Sequence, residues 1–184
     1  VRFVRDGVEV SMSKRAGEFI TLDELLAEVG VDAARWFFAS RATTTGIDFD
    51  IELAKRQSAD NPVYYVQYAH ARIASILRKA SEAGLEPASS IGGLLAGAPE
   101  ATLARALARL PEVVEDAVLA EETQGVTSYA TELATTFHAF YRDARVVDAA
   151  APDRSRARLA LAFATKTTLS NALGLLGISA PESM

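Results

Sequence analysis

Three groups of side chains in this sequence have the types and spacing to do chemistry. The first is Lys14 with Arg15, in the run Ser11-Met12-Ser13-Lys14-Arg15-Ala16-Gly17. Two adjacent cations in a short, Gly-ended loop can neutralise a polyphosphate, and a lysine ammonium can follow an oxygen as charge develops on a leaving group. The run lacks the G-x-x-x-x-G-K-[ST] spacing of a P-loop, and an ordinary basic surface loop has the same composition. The second group is Asn61, Tyr65, Tyr68 and Arg72, at spacings of 4, 3 and 4. On a helix these share one ridge, where two aromatics and a guanidinium could stack unpaired bases and reach a phosphate or a base edge. The same spacing also serves tyrosines that cover the edge of a core with their hydroxyls in water. The third group is Tyr141 with Arg145, one helical turn apart, followed by Arg154, Arg156 and Arg158. Those three arginines crowd the start of a helix, where positive charge opposes the macrodipole; a phosphate, Asp153 or solvent would each relieve the conflict. His70 and His138 are the only imidazoles and there is no Cys, so neither a zinc site nor a disulfide is expected. His70 falls off the tyrosine ridge and reads as a surface residue or a support for one.

The elements that must position these groups follow from periodicity and caps. Phe3 and Val4, then Asp6-Gly7, then Val8 and Val10 predict a hairpin over residues 1–12. Thr21 with Glu24 makes a capping box for a helix that Gly30 stops, and Asp32 is placed to cap the next one. Residues 42–49 read as a loop. From about residue 50 the pattern is helical: roughly 51–82 with a break at Pro62, then 100–109, 111–121, 125–147 and 153–176. The Gly- and Pro-containing stretch 84–99 reads as a loop. Val66, Ala69, Ile73, Ile76, Leu77 and Ala80 form the apolar face of the long helix; Leu133, Phe137, Phe140 and Ala144 form that of a later one, and Ala162, Leu169, Leu173 and Leu176 that of the last. The expected fold is mainly α: a helical bundle over residues 55–184, preceded by a small mixed α/β part over residues 1–54.

The 184 residues carry a formal charge of −5, which on its face argues against nucleic acid. The distribution argues otherwise. Residues 55–80 carry five basic side chains against Asp60 alone, and residues 142–184 six against four acidic ones. Residues 81–141 carry nine acidic side chains against two basic, so the acidic total comes mostly from a stretch between two locally basic ones. Local basic surface, not the sum, is what a nucleic-acid partner requires; two solvated helix faces would give the same count. No apolar run reaches the roughly 18 residues needed to span a bilayer. Charges interrupt the start at once, so it does not read as a signal peptide, and Val1 is not an initiator Met. The sequence therefore reads as a piece of a longer, cytoplasmic protein with no membrane partner.

Met12-Ser13-Lys14-Arg15-Ala16-Gly17, with Thr21-Leu22-Asp23-Glu24-Leu25-Leu26 and Gly30-Val31-Asp32-Ala33-Ala34-Arg35-Trp36-Phe37-Phe38, resembles class I aminoacyl-tRNA synthetases. Their KMSKS loop binds the ATP phosphates and supports the transition state of amino-acid activation. Lys14 matches its second lysine; Ser11 stands for the first, and Arg15 for the final serine. Asp60-Asn61-Pro62-Val63-Tyr64-Tyr65-Val66-Gln67-Tyr68-Ala69-His70-Ala71-Arg72-Ile73 is similar to the segment that opens the α-helical anticodon-binding domain of arginyl-tRNA synthetases. Phe137-His138-Ala139-Phe140-Tyr141 and the ending Leu175-Leu176-Gly177-Ile178-Ser179-Ala180-Pro181-Glu182-Ser183-Met184 resemble the same family, although Ser183 stands where the family usually has Arg.

The resemblance implies an arginine–tRNA ligase whose parent enzyme uses ATP with Mg²⁺, and whose arginine pocket and catalytic domain lie in another part of the chain. Residues 1–54 would be the tail of the catalytic region and residues 55–184 the anticodon-binding domain. Lys14 would meet the ATP phosphates. Asn61, Tyr65, Tyr68, Arg72, Tyr141, Arg145 and Met184 would contact the tRNA for arginine. The 184 residues alone are expected to be inactive, with no cofactor or metal of their own. The alternatives are the related domain of a cysteinyl or glycyl enzyme, or a helical protein-interaction module with no RNA ligand.

Overall fold

A computed structural model describes residues 1–5, 7–10, 20–91, 93–95 and 97–184. The loop around Lys14 lies outside the described residues. Strand β1 (Arg2–Arg5) pairs antiparallel with β2 (Val8–Glu9), matching Val4 to Glu9 and Arg5 to Val8. Helices α1 (Leu22–Val29) and α2 (Val31–Ala39) follow, then β3 (Asp48–Asp50) and the short α3 (Ile51–Lys55). The bundle is built from α4 (Pro62–Glu82), α5 (Ala98–Ala108), α6 (Leu110–Ala120), α7 (Gln124–Asp143) and α8 (Pro152–Leu175). This is the mainly helical architecture with a small α/β part that the periodicity implies.

Strand β3 falls at the end of the stretch expected to be a loop. It pairs parallel to β1, Phe3 opposite Phe49, so the hairpin becomes the three-stranded order β2-β1-β3. Burial of Phe49 drives the pairing: its ring is fully buried, 5.7 Å from Phe3, 5.1 Å from Phe37 and 5.5 Å from Phe38. Arg2 Nε donates to Asp48 Oδ1 across the pair at 2.7 Å.

Helix α1 starts as its capping box requires. The Glu24 amide donates to Thr21 Oγ1 at 3.2 Å, and the Thr21 amide to Glu24 Oε2 at 2.8 Å. Gly30, at φ 81°, ends α1 and starts α2 in one residue. Asp32 is not the cap expected of it. It sits in the first turn of α2, where its carboxylate accepts from Gln67 Nε2 at 2.8 Å, from the Ser179 amide at 3.2 Å, and from the Ser179 hydroxyl. Asp153 likewise lies inside the first turn of α8, behind an N-cap, Ala151, with no side-chain bond.

In the bundle, α4 and α5 each pack on both α7 and α8, and α6 packs on α7. Val66, Ala69, Ile73, Leu133, Phe137, Phe140, Ala162, Leu169 and Leu173 are at most 1% exposed, while Ile76 and Leu77 are half-buried. Helix α8 ends in a Schellman motif: the Ile178 amide donates to Leu173 O at 2.9 Å and the Gly177 amide to Gly174 O at 3.0 Å. The reversal needs Gly177 at φ 66°, and a Cβ there would strike the Arg35 guanidinium. The chain then runs back along α4. Gln67 Nε2 donates to Ser179 O at 3.0 Å, His70 Nδ1 to Pro181 O at 2.8 Å, and Lys166 pairs with Glu182 at 2.6 Å. His70 is thus 2% exposed, a buried strut for the C-terminal segment and not a surface residue.

Candidate nucleic-acid interface

Helix α4 begins with Pro62 in its first turn, where a missing N–H costs nothing. Its apolar face fixes the rotation, and that rotation sets Tyr64, Tyr65, Tyr68 and Arg72 along one side, beside His138 of α7. The C-terminal segment covers the neighbouring face at Gln67 and His70, roughly 60° and 120° from Tyr64 at about 100° per residue. The tyrosine side therefore stays open. Together with Ala59 and His138 of α7, the four residues line a groove of about 490 Å³.

The groove is an aromatic shelf with one cation at its end. The rings of Tyr64 and Tyr68 lie nearly parallel, 6.4 Å apart at 9°. His138 leans on Tyr65 at 5.2 Å and on Tyr68 at 6.2 Å. Tyr68 is 42% exposed, so it is the ring with room to accept another flat group. Tyr65 is half-buried, and its hydroxyl reaches Thr135 Oγ1 at 3.4 Å. Arg72 lays its guanidinium carbon 4.5 Å from the centre of the Tyr141 ring, a cation–π contact that holds it in one pose at the groove's edge. Tyr141 in turn stacks on buried Phe137 at 6.1 Å. Burial of the His138 ring, and secondarily the Arg72 charge, push its pKa below the ordinary value of 6.5. The imidazole is therefore neutral at pH 7.

The residues singled out in the sequence do not all meet. Tyr65, Tyr68 and Arg72 line the groove, and Tyr141 braces it through Arg72. Asn61 leaves the ridge: it is 3% exposed, and its Nδ2 donates to Ala54 O at 3.0 Å and Arg56 O at 2.9 Å. Its amide ties α3 to the start of α4. Arg145 lies beyond the end of α7, not one turn along it, because Ala144 turns extended at φ −118° and ψ 119°. Its side chain is 76% exposed, 3.8 Å from Asp148. Met184 is 54% exposed and, like Arg145, is not among the groove's lining residues. Arg158 is occupied by Glu100 at 2.7 Å and by Arg145 O at 2.8 Å; Arg154 and Arg156 are exposed. Besides Ala59, Tyr64 and His138 are the lining residues that the sequence reading missed. The latter two each had a signal in their spacing, Tyr64 four residues before Tyr68 and His138 three before Tyr141. Among the described residues there is no cluster of acidic and His side chains that could hold a metal ion, and no helix is long and apolar enough to cross a membrane.

Comparison with known proteins gives this arrangement a family. The DALR anticodon binding domain matches residues 66–184. An arginine–tRNA ligase from Symbiobacterium thermophilum is 54% identical over the whole chain, which covers 33% of that protein. Two solved structures superpose on it. A candidate arginyl-tRNA synthetase from Campylobacter jejuni matches with a TM-score of 0.82 and 30% identity over 100% of this chain and 39% of its own. Arginyl-tRNA synthetase from Thermus thermophilus matches with a TM-score of 0.71 and 29% identity over 99% of this chain and 34% of its own. The chain thus spans about a third of the length of the curated relatives it matches. These relatives do not favour a cysteinyl or glycyl enzyme, or a protein-interaction module.

Proposed function

The chain belongs to the DALR anticodon-binding domain family, and from that premise we propose that it is the tRNA-gripping part of an arginine–tRNA ligase. The observation that carries the proposal is the open aromatic groove on α4, bounded by Tyr64, Tyr65, Tyr68, His138 and a guanidinium held in place. An unpaired base presents a flat face and a polar edge. Tyr68 offers the matching flat surface, and Arg72 offers donors for a base edge or a phosphate. Tyr141 keeps Arg72 aimed. Arg145 and Met184 supply contacts outside the groove, and Asn61 acts by fixing the helix that carries the tyrosines.

In the whole enzyme, residues 1–54 form the tail of the catalytic region and residues 55–184 the anticodon-binding domain. Lys14 contacts the phosphates of ATP, which with Mg²⁺ drives formation of an arginyl-adenylate. The catalytic domain that binds arginine belongs to the remaining two-thirds of such a protein, and the enzyme works in the cytoplasm. The 184 residues alone should show no arginine-dependent exchange of pyrophosphate into ATP; exchange above background would refute that. The main test is titration of the chain with tRNA for arginine at two salt concentrations. Binding that weakens as salt rises is expected, because phosphate contacts release counterions. Absence of binding at low salt would overturn the reading.

A further inference from the structure

The aromatic groove holds a polar group that the stacking account leaves unused. His138 sits between the groove and the buried Phe137, 5.9 Å from that ring. Its Nδ1 is sealed from solvent and has no hydrogen-bond partner. Nε2 is not sealed in this way, and the residue lines the groove beside Tyr65 and Tyr68. A neutral imidazole has one N–H donor and one bare acceptor nitrogen. Buried N–H groups without partners are rarer than under-satisfied acceptors, so the sealed Nδ1 is the bare nitrogen and the proton resides on Nε2. Protonating Nδ1 as well would place an unpartnered donor in the interior, next to the Arg72 cation. Burial and that cation hold the ring neutral.

The geometry points to His138 as a specificity-determining residue: its Nε2–H donates into the groove to an acceptor on the edge of an unpaired base stacked on Tyr68. The inference rests on the proposed tRNA-binding reading and adds the chemistry of selection to it. Stacking on Tyr68 takes any base, since every base has a π-face. A single fixed donor on the groove wall takes only a base that turns an acceptor toward it. Arg72 lies at the groove's end and Tyr65 is tied to Thr135, so the imidazole is the polar group facing a base on the shelf from α7.

The test is a cycle of protein and RNA changes. The chain and its His138→Phe variant, which keeps a flat ring against Tyr65 and Phe137, are titrated with the anticodon stem-loop of an arginine tRNA. The same is done with stem-loops in which each anticodon base is replaced in turn. Thermal unfolding checks that the variant is folded. His138→Phe should weaken binding of the unaltered stem-loop roughly 2- to 13-fold, the range of one neutral hydrogen bond. That loss should shrink toward nothing for the one stem-loop whose groove base has been replaced. His138→Gln, which carries an N–H at similar reach, should recover part of the affinity for the unaltered stem-loop only. A loss of the same size on every stem-loop would mean that His138 only props the tyrosines, and would overturn the inference while leaving the tRNA-binding reading intact. Unchanged affinity in a folded His138→Phe variant would overturn it equally. Failure of the unaltered chain to bind any stem-loop would overturn the tRNA-binding reading and the inference with it.

Discussion

Tyr68 and Asn61 sit seven residues apart on one ridge of the sequence and do opposite things. Tyr68 leaves close to half its surface in solvent above a parallel ring, so truncating it removes contact area without opening the core. Stacking on an aromatic side chain is worth roughly 1–3 kcal/mol per base. Tyr68→Ala should weaken tRNA binding about 5- to 150-fold with little change in melting temperature; full affinity in the folded variant would take Tyr68 out of the interface. Asn61 is buried, and its amide is spent on two backbone carbonyls. Asn61→Ala leaves both acceptors without that donor, at a cost of about 1–3 kcal/mol. Urea unfolding should show this loss, while RNA affinity per folded molecule falls less than for Tyr68→Ala. A ridge drawn at helical spacing cannot separate the two, because the difference lies in α3. That helix approaches from outside the ridge and takes Asn61's hydrogen bonds.

At the level of elements, local rules were legible wherever the deciding partner was near in sequence. The Thr21 and Glu24 box, Pro62 in the first turn of α4 and the apolar faces of α4, α7 and α8 are all set within a few residues. What could not be read depends on distant partners. Strand β3 has three residues and exists because Phe49 finds Phe3. Asp32 gives up capping because Gln67 and Ser179 claim its carboxylate. Arg158 reads in the sequence as one of three cations crowding the polar start of α8, yet its side chain is 16% exposed and its partner Glu100 is 4% exposed. This pair joins the first turn of α5 to α8, and Arg158 also bonds Arg145 O where α7 has ended. Removing one member of a buried pair leaves an uncompensated charge, typically at 3–5 kcal/mol. Glu100→Ala should therefore destabilise the bundle by about that much, read by chemical denaturation. Glu100→Ala with Arg158→Met should recover a substantial part of it. A loss in the single variant no larger than that of an exposed salt bridge, under about 1 kcal/mol, would show that the pair is not sealed in solution.

For the molecule as a whole, the groove's neutral histidine and its surface carboxylates titrate in different windows, so acid should loosen the fold in two stages. The folded pKa of His138 lies below its ordinary 6.5, through burial first and Arg72 second. The unfolded chain therefore takes up that proton before the folded one does. Stability from keeping the ring neutral is complete above about pH 6.5 and is lost as pH falls through the folded value. Asp48 beside Arg2, Glu28 beside Arg5 and Lys55, and Glu182 beside Lys166 are likewise held below the usual carboxylate range by their partners. Their contributions are intact above that range and disappear only below it. Tyr129 works at the other extreme. Burial raises it to about 12, and its hydroxyl donates to Ala106 O at 3.0 Å; its contribution is complete below about 10 and lost as pH rises through 12. Melting temperature followed from pH 8 to pH 3 should thus show a shallow decline beginning near 6.5 and a steeper one below about 4.5. His138→Phe should remove the upper decline and leave the lower one in place, since a phenyl ring has no proton to take up. The two curves running parallel between pH 7.5 and pH 5 would mean that the imidazole is solvated in the folded state, and that the groove wall carries a titrating group in place of a fixed donor.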